Sequence, residues 1–364
     1  MEFTHLELTD FRNYHRAEID LSPGLNLVVG GNGQGKTNLL EAIHLLCAHG
    51  SHRSSTLAPL IRDSQESSII RGTAQVAGRE MSVDAEIRRS GGLRVLVNKL
   101  SSPVSSGPAA IIFSPEDLAI LKGGPEERRR MLDQAAAMVR PRASADRQEF
   151  ERVLRQRNGV LKASFSNPRA LKTLGVWDEQ LARAGAALVA HRLEVLGAIR
   201  PAAEKHYQRL AGAQVPEFHY SASWRTREGD DLLSLSADLA KALEDSHSRD
   251  LERGVSTVGP HRDDLAIELD GADARTHASQ GEQRTLALSL RLAQRDLVAS
   301  VRDEDPVLLL DDVFSELDRA RRSELGSLVA ASGQAIATTT GVEGISASPA
   351  AVVRVEGGRV WRDD

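Results

Sequence analysis

The sequence predicts an α/β fold: a head of mixed sheet and helices built from both ends of the chain, with a helical second lobe inserted between them. Three observations carry this. A glycine-rich loop at 30–37 lies between a strand signal and a helix signal. An apolar run ending in two acids, Val307-Leu308-Leu309-Leu310-Asp311-Asp312, stands near the other end. Between them, from about Glu126, the texture turns to amphipathic helix. The expected division is 1–121 for the first part of the head, 122–253 for the helical lobe and 254–364 for the second part.

The loop is Gly30-Gly31-Asn32-Gly33-Gln34-Gly35-Lys36-Thr37, which fits G-x-x-x-x-G-K-[ST]. Leu25 to Val29 reads as a short buried strand running into it. Leu39, Leu40, Ile43, Leu46 and Cys47 recur after it at helical spacing and mark one apolar face. Glycines let the backbone wrap closely around phosphate oxygens, and the N–H groups of a helix start attract an anion. Lys36 is then placed to reach the β- and γ-phosphates of a nucleotide, and the Thr37 hydroxyl to ligate Mg²⁺.

Residues 66–100 read as antiparallel strands, with Val83, Ala85 and Ile87 alternating and a turn at Gly91-Gly92. A short strand, Ala109 to Phe113, follows within a Ser/Pro/Gly-rich stretch. In the lobe, Phe150, Val153, Leu154 and Leu161 share one helix face. Trp177, Leu181, Ala184, Leu188 and Val195 share another beyond the Asn167-Pro168 turn. Stripes of this kind mark core packing or a helical hairpin. No heptad array long enough for a long coiled coil is present. Leu265 to Leu269 reads as a strand of the returning head.

A parallel strand buried on both faces reads as a solid apolar run, and acids at its C-terminal end lie in the ligand crevice of an open α/β sheet. Asp311 is thus the expected organiser of Mg²⁺, and Asp312 the group that orients or deprotonates an attacking water. Upstream, Ser279 and Glu282 form S-x-x-E, a capping box that opens a helix at Thr285, Leu286, Leu288, Leu290 and Leu292. Gly281 in its first turn is a poor helix former and permits close backbone approach.

The bulk properties set bounds. The chain has 364 residues, enough for two lobes and a core that needs no staples. Its one cysteine, Cys47, precludes an internal disulfide and reads as a buried structural thiol suited to a reducing cytosol. No signal peptide and no membrane span are expected. Net charge is −5, yet Lys122 to Lys172 holds thirteen basic and six acidic residues, or +7. A local basic field on an acidic protein suits a polyanion bound at one place, or is simply a solvated helix face.

These motifs together resemble the ABC-type ATPases, in which P-loop, signature (Ser279 to Gln283 here), acidic strand and D-loop (Ser315-Glu316-Leu317-Asp318 here) follow in this order. Phe11-Arg12-Asn13-Tyr14, Gly24-Leu25-Asn26 and the P-loop context are similar to the SMC-like branch. Four further pieces resemble the RecF family of bacterial recombination mediators: Ser51-His52-Arg53-Ser54, Phe113-Ser114-Pro115-Glu116-Asp117-Leu118, Gly259-Pro260-His261-Arg262-Asp263-Asp264 and Leu310 to Asp318.

The resemblance implies an ABC-type P-loop ATPase head that binds ATP and Mg²⁺, with Lys36 and Asp312 catalytic and Thr37 and Asp311 at the metal. It adds Arg53, Ser279, Gly281 and Gln283 to the nucleotide-binding set. Signature residues of one copy would meet the γ-phosphate held by a second copy, so ATP would drive a dimer. It also implies DNA as partner (double-stranded, gapped or junction), RecR as partner with RecO in the same pathway, and a cytoplasmic, nucleoid-associated location. No physical role follows from the sequence for His261, Arg262 or Asp263.

Departures from the ABC pattern matter. Asp312 stands where Glu is usual, which predicts slow hydrolysis. Ser114-Pro115-Glu116 stands where SMC-like proteins carry a metal-contacting Gln. Thr338 and Thr339 follow the strand Gln334 to Ala337 where transporter subunits place a His. Two rival readings stay open on the sequence: the ATPase subunit of a transporter, and a clamp that binds ATP without hydrolysing it.

Overall fold

A computed structural model describes residues 1–54, 56–212, 214–316, 319–341 and 348–363. The chain divides into two compact units, Met1–Asp117 with Leu288–Asp364, and Leu118–Ala287.

The first unit holds two sheets. One has six strands in the order Arg359–Asp363, Ala351–Glu356, Gly24–Val29, Gln334–Thr339, Val307–Leu310, Ala110–Phe113. Its strands are parallel except for the hairpin of the first two. Parallel strands covered on both faces need uninterrupted apolar runs, and all four residues of Val307–Leu310 and of Ala110–Phe113 are buried. The other sheet is antiparallel, in the order Tyr14–Asp20, Glu2–Phe11, Ser67–Val76, Arg79–Arg88, Leu93–Val97. Val83, Ala85 and Ile87 point into the core from it, as their alternation predicts.

The helix Lys36–Ala48 after the glycine loop is buried more completely than its sequence suggested. Beyond the expected apolar face, Ala42 and Leu45 are buried, and so are Glu41 and His44. The reason is packing on several sides: the same core gathers Phe3, Leu6, Leu8 and Ile70 from the antiparallel sheet with Val28, Leu309 and Ile336 from the parallel one. A helix enclosed in this way has no solvated face, so Glu41 and His44 are shut off from water, and Glu41 is satisfied by internal partners. Cys47 is buried, and burial pushes its thiol pKa up, as a structural thiol requires.

The second unit is built on the helices Pro125–Val139, Ala143–Ser164, Leu174–Ala211 and Leu232–Asp245. Phe150 and Val153 pack with Leu181, Leu188, Leu235 and Leu239 in its core. This unit is not purely helical. Asp264–Leu269 pairs antiparallel with Pro216–Ser221 and with Ala272–Asp273 in a separate three-stranded sheet. The strand read from the sequence exists, but it belongs to this unit, so the border expected at 254 falls at Leu288. Its partner strand is short and contains Pro216, Glu217 and His219, which hid the pairing.

Candidate nucleotide site

The strand Gly24–Val29 delivers the glycine loop to the C-terminal edge of the parallel sheet. At Gly30 a Cβ would lie 2.3 Å from the Val355 carbonyl oxygen, so only glycine lets the loop leave the strand here. Gly35 has φ +117°, and a Cβ there would lie 2.6 Å from Asn13 Nδ2. The reason for that proximity is a brace. Asn13 Nδ2 donates to the Gln34 carbonyl at 2.9 Å, Tyr14 Oη donates to the Gly35 carbonyl at 2.9 Å, and Asn38 Nδ2 donates to Asn13 Oδ1 at 2.8 Å. The turn between the first two strands thus fixes the glycine loop. Gly31, Asn32 and Gly33 are exposed at its crown.

Lys36 Nζ donates to the carbonyls of Gly30 and Gly31, at 2.7 and 3.0 Å. Burial lowers its pKa, while Asp312 and Asp311 act in the opposite sense. Thr37 Oγ1 donates to Asp311 Oδ1 at 2.9 Å, and Thr338 Oγ1 donates to the same oxygen at 2.8 Å. Thr338 also accepts the Asp312 N–H at 2.8 Å. The Thr338 hydroxyl therefore holds the Asp311 carboxylate and the Asp312 backbone together. Asp312 has φ +50°, a left-handed conformation at the strand end. Burial raises the pKa of Asp311 and Glu116 adds to this, against the Thr338 and Thr37 hydrogen bonds and Arg53.

This donor set fits Mg²⁺. A carboxylate, a hydroxyl and the space for phosphate oxygens are hard oxygen ligands, and a buried carboxylate whose pKa burial has raised is one that a cation stabilises.

Arg53 reaches the site from the loop after the P-loop helix. Its Nε is 3.5 Å from Glu116 Oε1, and its Nη1 is 3.7 Å from Glu41 Oε2 and 3.2 Å from Asn38 Oδ1. Glu116, in the segment that stands where SMC-like proteins carry a Gln, thus faces Arg53. Glu41 is a hub that sequence reading missed. Fully buried, it accepts a bidentate pair from Arg12 at 2.7 and 2.8 Å and the Ser51 hydroxyl at 2.5 Å. Ser51 Oγ in turn accepts the N–H groups of Arg53 and Ser54. Beside this hub, the rings of His44 and His52 meet edge to face at 5.1 Å between centroids. Burial lowers the His44 pKa to about 4 and that of His52 to about 2, with the surrounding arginines adding to it.

The capping box is formed. Ser279 N–H donates to Glu282 Oε2 at 2.7 Å, and Glu282 N–H to Ser279 Oγ at 3.3 Å, at the start of the helix Gln280–Arg302. Ser279 is exposed. Gln283 is buried, and its Nε2 donates to the carbonyls of Ala274 and Arg275 at 3.1 Å each. Its amide therefore holds the preceding turn rather than facing solvent. Of the D-loop piece, Ser315 and Glu316 end the short helix Val313–Glu316, and Leu317 and Asp318 lie outside the described residues.

The Gly259-to-Asp264 piece gains a physical role within the second unit. Asp263 accepts Tyr220 Oη at 2.9 Å and the Ser223 N–H at 3.1 Å, while its carbonyl accepts Arg129 at 2.5 Å. Arg128 pairs bidentately with Asp264, and Arg192 donates to the Pro260 carbonyl while pairing with Asp133. His261 and Arg262 both reach the Ser256 carbonyl. The segment is a knot that ties two helices to the small sheet.

With this geometry in place, comparison with known proteins is decisive at the level of family. Residues 2–356 match the model of the RecF/RecN/SMC N-terminal domain. The fold and site define an SMC-like, ABC-type P-loop ATPase. Within that class the chain belongs to the RecF family. It is 43% identical over 351 residues to the DNA replication and repair protein RecF of Streptomyces avermitilis, covering 93% of each chain. It is 40% identical to that of Leifsonia xyli over 99% of each. A structure of the recombination mediator protein RecF with ATP, in the RecFOR pathway, superposes with a TM-score of 0.92 at 30% identity, covering 100% of this chain and 98% of that one. The Smc head domain of Pyrococcus furiosus shares the fold at a TM-score of 0.54 and 15% identity, covering 100% and 96%. Among the described residues no helix is long and apolar enough to cross a membrane.

Proposed function

We propose that this chain is an ATP-switched DNA-binding protein of recombinational repair and replication restart, acting at gapped or junction DNA. ATP and Mg²⁺ bind at the P-loop, two copies associate head to tail around them, and slow hydrolysis releases the DNA. RecR is the proposed direct partner, with RecO in the same pathway, in the cytoplasm at the nucleoid.

The observation that carries this reading is the convergence of Thr37 and Thr338 on one oxygen of Asp311, with Asp312 held by its N–H beside them. Bound Mg²⁺ supplies charge neutralisation at the β- and γ-phosphates. The chain's own groups do the rest. Glycine-loop N–H groups and Lys36 hold the phosphates, and Thr37 and Asp311 hold the metal. Asp312 orients the attacking water and accepts its proton. Its side chain is one methylene shorter than the usual Glu, which favours a slow switch over a metabolic turnover of about 1–10³ s⁻¹. Arg53 reaches the γ-phosphate from one copy, and Ser279 and Gly281 from the other, with Gln283 behind them.

Light scattering with ATP and Mg²⁺ tests the switch. Parent protein should dimerise, Ser279→Arg should remain a monomer that still binds ATP, and Lys36→Arg should lose the response. A dimer unchanged by Ser279→Arg rules out signature contact in trans. Family membership sets the transporter reading aside. The non-hydrolysing clamp is the second reading, favoured by the short Asp312; it wins if Asp312→Asn changes neither turnover nor DNA release.

A further inference from the structure

Resting on the DNA-binding reading above, we propose that the tip of the helical hairpin in the second unit is a contact for unpaired DNA, with Phe165 stacking on a base and the surrounding cations holding phosphates. The hairpin consists of Ala143–Ser164 and Leu174–Ala211, joined by the short helical turn Pro168–Thr173.

Its charge is one-sided. From Arg152 to Trp177 there are six basic residues and no acid. Five cations of the basic segment are paired by structure: Arg128 with Asp264, Arg130 with Glu126 and Glu127, Arg140 with Glu194, Arg147 with Glu151, Arg152 with Glu149. Arg157 is buried between Asp178 and Asp250. Arg155, Lys162, Arg169 and Lys172 are different: they are exposed and have no ion-pair partner among the described residues. Exposed cations without an ion-pair partner thus gather at this tip, at Lys162, Arg169 and Lys172. An uncompensated cation cluster on an acidic protein attracts a polyanion.

Phe165 lies in the middle of it and is 66% exposed. One ring edge is pinned. At Gly254, φ +66°, a Cβ would fall 2.7 Å from Phe165 Cε2 and 3.6 Å from Lys162 Cγ. Absence of that Cβ seats the ring edge and the lysine stem, leaving much of the ring open to solvent. Its chain neighbours are Ser164, Ser166 and Asn167, not an apolar patch, so a protein core has little to bury here. An aromatic ring among free cations is the combination that binds single strands, where every base offers a π-face and the backbone offers charge. A duplex offers the charge alone.

The test uses the full chain with ATP and Mg²⁺, a fluorescein-labelled oligo(dT), a labelled duplex, and anisotropy across a KCl series. Phe165→Leu keeps an apolar side chain at the tip and loses the aromatic face. It should bind oligo(dT) about tenfold more weakly, with the salt slope and duplex affinity unchanged. Combined Lys162→Gln, Arg169→Gln and Lys172→Gln should reduce the slope of log affinity against log salt by about 2 on oligo(dT). Both variants should bind a fluorescent ATP analogue as the parent does, since none of these residues belongs to the nucleotide site. If the parent binds DNA and both variants match it at every salt concentration, the tip is not the contact and the DNA-binding reading stands. If the parent binds no DNA, both fall together. Loss of binding to phosphatidylserine vesicles with DNA binding unchanged also overturns the proposal and assigns the tip to a lipid surface.

Discussion

Thr338 Oγ1 and Thr37 Oγ1 donate to the same oxygen of Asp311, at 2.8 and 2.9 Å. One threonine comes from the strand beside the P-loop strand and the other from the P-loop itself. Thr338→Val therefore removes a buried donor to Asp311 and the hydroxyl that accepts the Asp312 N–H. It should destabilise the protein by about 1–3 kcal/mol in urea unfolding. It should also weaken Mg²⁺-dependent nucleotide binding more than Mg²⁺-free binding. Equal loss in both would show that Thr338 serves packing alone.

Glu41→Ala should be among the most damaging single changes in the first unit. It leaves Arg12, 19% exposed at its side chain, without its bidentate partner, and releases the Ser51 hydroxyl that caps the Arg53 turn. Breaking a pair of this kind costs about 3–5 kcal/mol. A thermal melt checks the cost, and Glu41→Gln, which keeps an acceptor oxygen, should recover part of it. Nucleotide affinity of the folded fraction should also fall, because Arg53 loses its support.

The buried imidazoles predict a dependence on acid. Both His44 and His52 have folded-state pKa values depressed below the ordinary 6.5, to about 4 and about 2. Below pH 6.5 the unfolded chain takes up protons that the folded chain refuses, so stability is full above 6.5 and falls as pH drops toward 4. The slope is on the order of 1.4 kcal/mol per pH unit for each histidine. The groups facing the pair are Glu41, Arg12, Arg53 and Arg291, together with the Gly50 backbone. Chemical denaturation from pH 7 to pH 5 should show the decline, and His44→Gln should flatten it. A parent slope of zero over this window would contradict the burial of both rings.

Asp263→Ala should unfasten the knot in the second unit. Tyr220 and the Ser223 N–H lose their acceptor in a site where burial has already raised the Asp263 pKa. The cost should be about 2–3 kcal/mol in the unfolding of that unit. Affinity for a fluorescent ATP analogue, measured on the folded protein, should be unchanged. A selective loss of nucleotide binding with normal stability would mean that the segment acts on the P-loop.

Local signals made half of the candidate site legible. Gly30 to Thr37 and Val307 to Asp312 declare themselves because a phosphate loop and a buried strand each have a sequence period and a required composition. The Ser279–Glu282 box was legible for the same reason, since its partners are three residues apart. What stayed hidden is held by distant partners. Nothing near Glu41 announces that a glutamate in an apolar helix is paired with Arg12. Asn13 and Tyr14 could be matched to a family, yet their hold on the Gln34 and Gly35 carbonyls appears only in three dimensions. The strand at Leu265 to Leu269 was legible as a strand of the returning head, while its pairing with Pro216–Ser221 was not, because strand pairing is a property of two segments and the second was weak.

The position of Gly24–Val29 has a consequence for synthesis. Its two neighbours in the sheet are Gln334–Thr339 and Ala351–Glu356. At the ribosome this apolar strand emerges early and waits for roughly 15 to 60 s of elongation before either partner exists. Thr338 is made in the same late stretch, so its meeting with Thr37 on Asp311 also has to wait. The sheet that carries the glycine loop is completed only when these late strands pair with the early one.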